Sequence, residues 1–372
     1  MISNNSIARV LASLVILAGA IAYKISTIQE TLSPVSSLSS NTGQGPATPG
    51  WIDIYYTDPS STDGQNESVH DLQNALLAAI DAARLSVDIA IYNLDLPKIR
   101  QALVDAKRRG VAVRLVTESD NLEHAELQAL QTAGVALRGD DSAGLMHNKF
   151  VVIDRLEVWT GSMNLTYPSV YQDNNNLVRV RSPELAQDYL AEFEEMFLRG
   201  CFGAGPATSH ACSITPYPRL TLDDTALEVY FSPDDGVAAR LVELITDAQE
   251  SIYFLAYTFT AEDIAEAMLG RARAGVKVAG VFEDSQIPTG LEVDSVYGLM
   301  RTAGLDVHLD GNPGNMHHKV IILDGKTVIT GSYNFSRNAE TRNDENVLIL
   351  HNPQIAAAYL AEFKRIYTEA RP

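Results

Sequence analysis

Apolar positions follow two different periods along this chain. Short, mainly apolar runs at 86–92 and 251–257 have the length and composition of buried strands. Apolar residues three and four positions apart, the spacing of helices with one buried face, occur at 72–84, 184–198, 237–248 and 354–369. Because such strands and helices alternate along the chain, the pattern predicts an α/β fold.

The chain also repeats itself. Four short motifs of the first half return in the second half, each of them 170 residues later. The pairs are 132–134 with 302–304, 146–147 with 316–317, 161–162 with 331–332, and 189–193 with 359–363. A constant offset between two long copies indicates a duplicated domain, since the repeats of a solenoid are far shorter.

Composition divides the 372 residues into segments. Ser, Pro, Gly and Thr dominate residues 31–50, which predicts a flexible linker without a core. We expect a first lobe at 51–199, a Gly/Pro-rich linker with the cysteine pair at 200–222 and a second lobe at 223–372.

Residues 1–30 have the order of an export signal. Arg9 precedes an apolar run from Val10 to Tyr23, and small residues lie near its end. The run of about 14 residues is short for a membrane-spanning helix, which needs about 20. We therefore expect a signal peptide and a periplasmic or secreted protein. An uncleaved membrane anchor is the alternative, and an ordinary buried helix is a third.

The only two cysteines, Cys201 and Cys212, lie in the Gly/Pro-rich linker. A disulfide between them would suit an oxidising compartment, and two free thiols are the alternative. A zinc site would need more ligands than this pair and His210.

A pattern with chemical meaning recurs in both copies. It reads His147-x-Lys149-x4-Asp154 in the first copy and His317-x-Lys319-x4-Asp324 in the second. Successive residues of a strand face opposite sides, so the histidine and the lysine of each copy share a face. The aspartate stands an odd number of residues from its histidine and comes next to a turn, as Asp324-Gly325 shows. We assign both aspartates to the site in a supporting role, bracing the hairpin.

A Gly-Ser-x-Asn segment follows each motif after the turn. It supplies Ser162 and Asn164 in the first copy, and Ser332 and Asn334 in the second. Hydroxyl and amide groups can bind phosphate oxygens, and two lysines could balance the charge of a pentacoordinate phosphorus. The pattern predicts a phosphate pocket that needs no metal ion and no cofactor.

Two histidines can take different catalytic roles in the cleavage of a phosphodiester. One neutral imidazole attacks phosphorus and forms a phosphohistidine, while a protonated imidazole gives its proton to the leaving alkoxide. Each lobe supplies one histidine in this pattern, so neither lobe should be active alone. His318 lies on the opposite face of its strand from His317, which predicts a packed or surface residue.

The duplicated motif resembles the signature of the phospholipase D superfamily, over roughly 51–372. The resemblance implies two α-β-α sandwich lobes in a pseudo-twofold bilobal monomer. It also implies that His147 and His317 are catalytic, that Lys149 and Lys319 bind phosphate, and that Asn164 and Asn334 assist them. The segment 331–346 is similar to the small bacterial endonucleases and to the mitochondrial cardiolipin hydrolase branch, which build the site from two chains.

By the same resemblance, Glu345 matches an acidic residue that orients its histidine, and the aligned position of the first lobe is Asn175. A carboxylate favours the protonated imidazole. We therefore expect that His317, paired with Glu345, begins as the general acid and that His147 is the nucleophile. A carboxylate also makes an imidazole more basic, which would favour the opposite assignment.

Charge bears on the substrate. The formal net charge is -19, which disfavours nucleic acid, although a local basic cleft could override it. We expect a phospholipid substrate met in transient contact with a membrane surface. A nuclease is the first alternative, with Lys107, Arg108 and Arg109 as the main basic cluster. A lipid synthase or a binding module that uses the same pocket is the second.

Overall fold

The structure is a computed structural model that describes residues 48–59, 67–203, 215–287 and 295–371. The predicted N-terminal segment, nearly all of the linker that follows it, and Cys212 lie outside these ranges. The export signal and the disulfide of Cys201 with Cys212 therefore stay predictions. In the part of the chain that is described, every helix is too short or too polar to cross a membrane.

The first lobe is built on a seven-stranded mixed sheet. Its elements are β1 (Ile52–Tyr56), α1 (Glu67–Ala82), β2 (Ser86–Ile91), α2 (Pro97–Arg108), β3 (Ala112–Thr117), α3 (Ala125–Thr132), β4 (Ala136–Gly139), β5 (Lys149–Ile153), β6 (Glu157–Gly161), α4 (Tyr167–Tyr171), β7 (Asn176–Arg181) and α5 (Pro183–Glu194). The strand order is β1-β7-β6-β5-β2-β3-β4. The β2, β3 and β4 strands are parallel, and β5, β6 and β7 are antiparallel.

The second lobe repeats this topology in an eight-stranded sheet. Its elements are β8 (Arg219–Leu222), β9 (Thr225–Ser232), α6 (Val237–Asp247), β10 (Ser251–Ala256), α7 (Glu262–Arg273), β11 (Lys277–Phe282), α8 (Val296–Thr302), β12 (Asp306–Leu309), β13 (Lys319–Leu323), β14 (Thr327–Gly331), α9 (Arg337–Thr341), β15 (Glu345–His351) and α10 (Pro353–Glu369). The order is β12-β11-β10-β13-β14-β15-β9-β8. The predicted α/β class with two duplicated lobes is confirmed.

The aspartate of each motif lies at the turn after the motif strand. Asp154 has a φ of 53° and accepts the main-chain N–H groups of residues 84 to 86 at distances from 2.6 to 3.1 Å. Asp324 has the same φ and accepts those of residues 249 to 251 at distances from 2.7 to 3.1 Å. Each carboxylate therefore ties its hairpin to the strand that begins beside it.

The two lobes share one hydrophobic core. Helices α5 and α10 bury their apolar sides in it, together with side chains of both sheets. Tyr189 of α5 packs edge-on against Phe231 of the second sheet, with ring centroids 5.2 Å apart. Because burial of apolar surface drives association, this shared core fixes how the lobes face each other.

Beside this core, His318 is fully buried in an ion-paired group. Its Nε2 lies 3.2 Å from Glu362 Oε1, and Arg365 donates to the same carboxylate. Burial alone would raise the pKa of Glu362, but the hydrogen bonds from His318 and Arg365 hold that pKa below its ordinary value. His318 is thus a packed residue, and the surface location that the sequence also allowed is wrong.

The matching place in the first lobe lacks the positive charges. Asn148 stands where His318 does, and Glu195 stands where Arg365 does. Glu192 accepts a hydrogen bond from Asn148 at 3.1 Å, and burial and then Glu195 hold the pKa of Glu192 well above its ordinary value. On this side of the lobe interface, the positions that match His318 and Arg365 therefore carry no positive charge.

This asymmetry makes stability depend on pH. Burial, followed by the charges of Asp234 and Asp344, raises the pKa of Glu195 to about 8. A carboxyl group with a raised pKa in the folded state stabilises the fold at low pH, and this contribution is lost as pH rises towards 8. We predict that Glu195→Gln raises the melting temperature more at pH 9 than at pH 5, measured by calorimetry.

The exposed helical Glu266 provides a matched control. Glu266→Gln should change the melting temperature little and equally at both pH values. An equal effect of the two substitutions would contradict the prediction.

Candidate active site

The two histidine motifs meet where the lobes join. Each histidine lies two residues before the first residue of β5 or β13. The main-chain N–H of His147 donates to the carbonyl of Asp344 at 3.0 Å, and that of His317 donates to the carbonyl of Asn174 at 2.9 Å. Since both bonds cross between the lobes, they place the two imidazoles at one shared site.

Each imidazole has its side-chain partner in the opposite lobe. The Nδ1 atom of His147 lies 2.8 Å from Glu345 Oε2, and that of His317 lies 2.9 Å from Asn175 Oδ1. The expected pairing of His317 with Glu345 is therefore wrong. Glu345 directly follows the residue whose carbonyl binds the His147 main chain, which brings the carboxylate to that histidine.

The two serines support these partners. Ser332 Oγ donates to Glu345 Oε2 at 2.7 Å, and Ser162 Oγ donates to Asn175 Oδ1 at 2.8 Å. Each hydroxyl also accepts a main-chain N–H, at 3.0 and 3.1 Å respectively. Both serines are fully buried and their single protons are committed. The structure thus corrects the prediction that they bind phosphate, and makes them anchors of the histidine partners.

These contacts fix which ring nitrogen remains available. Asn175 Nδ2 donates to the Ser169 carbonyl at 2.9 Å, which directs Oδ1 towards Ser162 and His317. An amide oxygen can only accept, so Nδ1 of His317 carries the proton. The carboxylate of Glu345 accepts a hydrogen bond from Nδ1 of His147 in the same way. In both rings Nε2 is left for chemistry.

The two lysines are buried beside the histidines. Lys149 and Lys319 are each 2% exposed, and each Nζ donates to the carbonyl of its own motif's histidine, at 2.9 and 2.8 Å. The Lys149 ammonium lies 5.3 Å from the centroid of Tyr92, and the Lys319 ammonium lies 4.6 Å from that of Tyr257. In the described part of the chain, neither has a carboxylate within salt-bridge distance.

Burial of four basic side chains close together determines the pKa values of the site. Burial lowers the pKa of Lys149 to about 7, and burial and then Lys149 hold the pKa of Lys319 well below its ordinary value. Burial lowers the pKa of His147 to about 4, although Glu345 opposes it. Burial and then the two lysines hold the pKa of His317 well below its ordinary value. An anion bound among these groups would restore their protonated forms.

The two asparagines of the Gly-Ser-x-Asn segments have unsatisfied hydrogen-bond acceptors. The Oδ1 atoms of Asn164 and Asn334 are buried, and neither has a hydrogen-bond partner among the described residues. A buried polar atom without a partner is uncommon and is often explained by a ligand. In the ranges that the structure covers, no group of three His, Cys, Asp or Glu side chains is arranged to hold a metal ion.

Four residues of the site were missed in the sequence. Tyr92 and Tyr257 directly follow β2 and β10, and Glu118 and Glu283 accept the N–H of the residue before each histidine at 3.0 and 2.6 Å. The two tyrosines had a signal, because each ends a repeated apolar strand. The two glutamates had a weaker one, since they occupy matching places after β3 and β11.

A family model and several known proteins are similar to this chain. The family described as "Cardiolipin synthase, PLD-like domain" matches residues 76–197 and 241–367. A phospholipase D of Rickettsia typhi is 34% identical over 167 residues, which are 41% of this chain and 80% of that protein. A mitochondrial cardiolipin hydrolase of Xenopus tropicalis is 35% identical over 138 residues, 37% of this chain and 64% of that protein.

One solved structure is similar over nearly the whole chain. The phosphatidylserine synthase of Haemophilus influenzae Rd KW20 superposes with a TM-score of 0.64, covers 86% of both chains and is 13% identical. At this identity the likeness shows a shared two-lobed fold.

The cross-lobe pairing can be tested by titration. We predict that Glu345→Gln lowers the pKa of His147, because the carboxylate that favours its charged form is lost. Asn175→Asp should raise the pKa of His317 for the converse reason. Both are measured by NMR titration of the imidazole protons. A response of His317 to the Glu345 substitution, with His147 unchanged, would refute the pairing.

Proposed function

The chain belongs to the phospholipase D-like family, and from that premise we propose that it is a metal-independent phosphodiesterase that removes phospholipid headgroups through a phosphohistidine. One observation carries the proposal. His147 and His317 meet across the lobes with Nε2 free, beside two buried lysines that lack carboxylate partners among the described residues.

The first step forms the covalent intermediate. Nε2 of His147 attacks phosphorus, a P–N bond forms, and the bond from phosphorus to the headgroup oxygen breaks. His317 delivers its Nε2 proton to that departing oxygen, so the headgroup leaves as a neutral alcohol. Lys149 and Lys319 stabilise the charge on the other phosphate oxygens.

The side-chain partners of the two histidines support His147 as the one that attacks. Phosphorylated imidazole keeps a positive charge for the lifetime of the intermediate, and the Glu345 carboxylate beside His147 stabilises that charge. The neutral amide of Asn175 leaves His317 the stronger acid, which gives up its proton readily. His147 therefore remains the proposed nucleophile and His317 the proposed general acid. The reason differs from the one first expected, because Glu345 pairs with His147 and not with His317.

The second step restores the enzyme. Neutral His317 takes a proton from water, the resulting hydroxide attacks phosphorus, and the P–N bond to His147 breaks. The products are phosphatidic acid and free enzyme with His317 protonated again. If an alcohol replaces water, the same step becomes phosphatidyl transfer, which is the synthase alternative.

Charge and relatives favour a lipid over nucleic acid. The chain has 47 acidic and 28 basic side chains, which disfavours binding to a polyanion. The relatives named phospholipase D and cardiolipin hydrolase support the lipid substrate. The proposal also includes export of the protein, with residues 10–23 as signal or anchor. It further includes action as a monomer, with both half-sites in one chain.

We predict that the full chain, incubated with EDTA and a primary alcohol, converts labelled phospholipid to phosphatidyl-alcohol. His317→Ala should lower the rate about 10²- to 10⁴-fold, as expected for loss of a general acid. His124→Ala, at an exposed histidine outside the site, is the control and should keep the wild-type rate. Single-stranded and double-stranded DNA are offered in parallel. Cleavage of DNA with intact lipid would establish the nuclease alternative, and activity abolished by EDTA would overturn metal independence.

The nucleophile is identified by trapping. We predict that acid quenching during turnover of lipid labelled with ³²P yields a phosphoenzyme, and that peptide mapping places the label on His147. His124→Ala should give the same map. A label on His317 would overturn the assignment of roles.

A further inference from the structure

The two buried ammonium groups of the site raise a physical question. Burying a charge without a partner is costly, and each ammonium has one carbonyl as its hydrogen-bond acceptor. Lys149 also acts to lower the pKa of Lys319, so the two charges oppose each other. The charge of Glu345 favours the protonated form of both lysines, but none of the described carboxylates lies within salt-bridge distance of either, so a closer group has to add to this effect.

The aromatic rings of Tyr92 and Tyr257 are placed to do so. Each lies within 6 Å of the ammonium of its own lobe, at 5.3 and 4.6 Å from ring centroid to Nζ. That is the range in which the negative face of an aromatic ring attracts a cation. The same contact occurs in both copies of the duplicated lobe.

Each tyrosine also contacts the histidine of its lobe. The rings of Tyr92 and His147 are 5.2 Å apart at 63°, and those of Tyr257 and His317 are 4.5 Å apart at 64°. Both pairs are edge-to-face, an arrangement that aromatic rings favour. One tyrosine thus touches both the lysine and the histidine of its motif.

We propose that Tyr92 and Tyr257 are positioning residues of this site, each keeping the buried ammonium of its lobe charged and its imidazole oriented while leaving the charge free for phosphate. The inference rests on the proposed phosphodiesterase function and deepens it. It explains why rings stand where carboxylates would be expected. A carboxylate would neutralise the ammonium and repel an anionic diester, whereas a ring stabilises a cation and carries no net charge.

The two lobes differ in how the tyrosine is held, since the side chains of Thr117 and Asn121 donate to the main-chain carbonyl of Tyr92. Gln286 Nε2 donates to the hydroxyl of Tyr257 at 3.3 Å, and Thr258 donates to Gln286 Oε1 at 3.1 Å. The ring of Tyr257 is also nearer to Lys319 than the ring of Tyr92 is to Lys149. The larger effect of substitution is therefore expected in the second lobe.

Substitutions that separate the ring from the hydroxyl test the proposal. Tyr257→Phe keeps the ring and should stay within about 3-fold of the wild-type kcat/KM for bis(4-nitrophenyl) phosphate. Tyr257→Leu removes the ring and should lower kcat/KM about 3- to 30-fold at neutral pH. Tyr92→Leu should act in the same direction but less. Tyr217→Leu, at an exposed tyrosine away from the motifs, is the control.

The pH profile provides a readout that a merely structural role would not move. A lysine binds phosphate only while protonated, so binding is lost as pH rises through its pKa. Without the ring the charged form is less favoured, and the alkaline limb of kcat/KM should move to lower pH. Calorimetric binding of inorganic phosphate across the same pH range should shift likewise and needs no turnover.

Pentafluorophenylalanine at position 257 gives a variant of nearly unchanged shape, because fluorination reverses the charge distribution of the ring. It should behave like Tyr257→Leu, and it keeps the test valid if the leucine variant fails to fold. Unchanged profiles in the leucine and fluorinated variants, or an equal loss in Tyr257→Phe, would overturn the proposal. If wild type cleaves no diester, the proposed function fails, while phosphate binding still decides the role of the tyrosines.

Discussion

Two main-chain hydrogen bonds between the lobes are the constraint on which the site depends. The N–H groups of His147 and His317 each bind a carbonyl of the opposite lobe, and these bonds hold the strand starts side by side. Rotation of one lobe would break both bonds and separate the imidazoles. The shared hydrophobic core around α5 and α10 supplies the free energy that maintains this arrangement. The site with both histidines is therefore a property of the lobe interface, and neither lobe contains it alone.

The electrostatic design of the site is asymmetric although the fold is nearly symmetric. Four basic side chains are buried together, and among the described residues the carboxylate of Glu345 directly contacts one of them, His147. Its counterpart Asn175 offers the same hydrogen-bond geometry without charge. Duplication supplies two equal histidines, and in the proposed mechanism this difference gives them unequal roles. In the proposed mechanism an anionic diester would complete the charge balance of this site.

A second asymmetry concerns the buried carboxyl groups of the lobe interface. In one half of the interface a buried carboxyl group is balanced by His318 and Arg365, and in the other half Asn148 and Glu195 stand at the matching positions. In that other half the pKa values of Glu192 and Glu195 are raised, which favours their protonated forms and ties interface stability to pH. Since the histidines are held by the same interface, conditions that ionise Glu195 also weaken the support of the site.

The sequence by itself determined the α/β class, the duplication and the identity of the two histidines and two lysines. Those features follow from period and spacing, which depend on local geometry that any strand or helix shares. Tertiary structure alone decided that Glu345 serves His147, that Ser162 and Ser332 anchor the partners of the histidines, and that two tyrosines face the lysines. Those contacts join residues from different strands or different lobes, and their partners are set by how two sheets pack, which no spacing along the chain encodes.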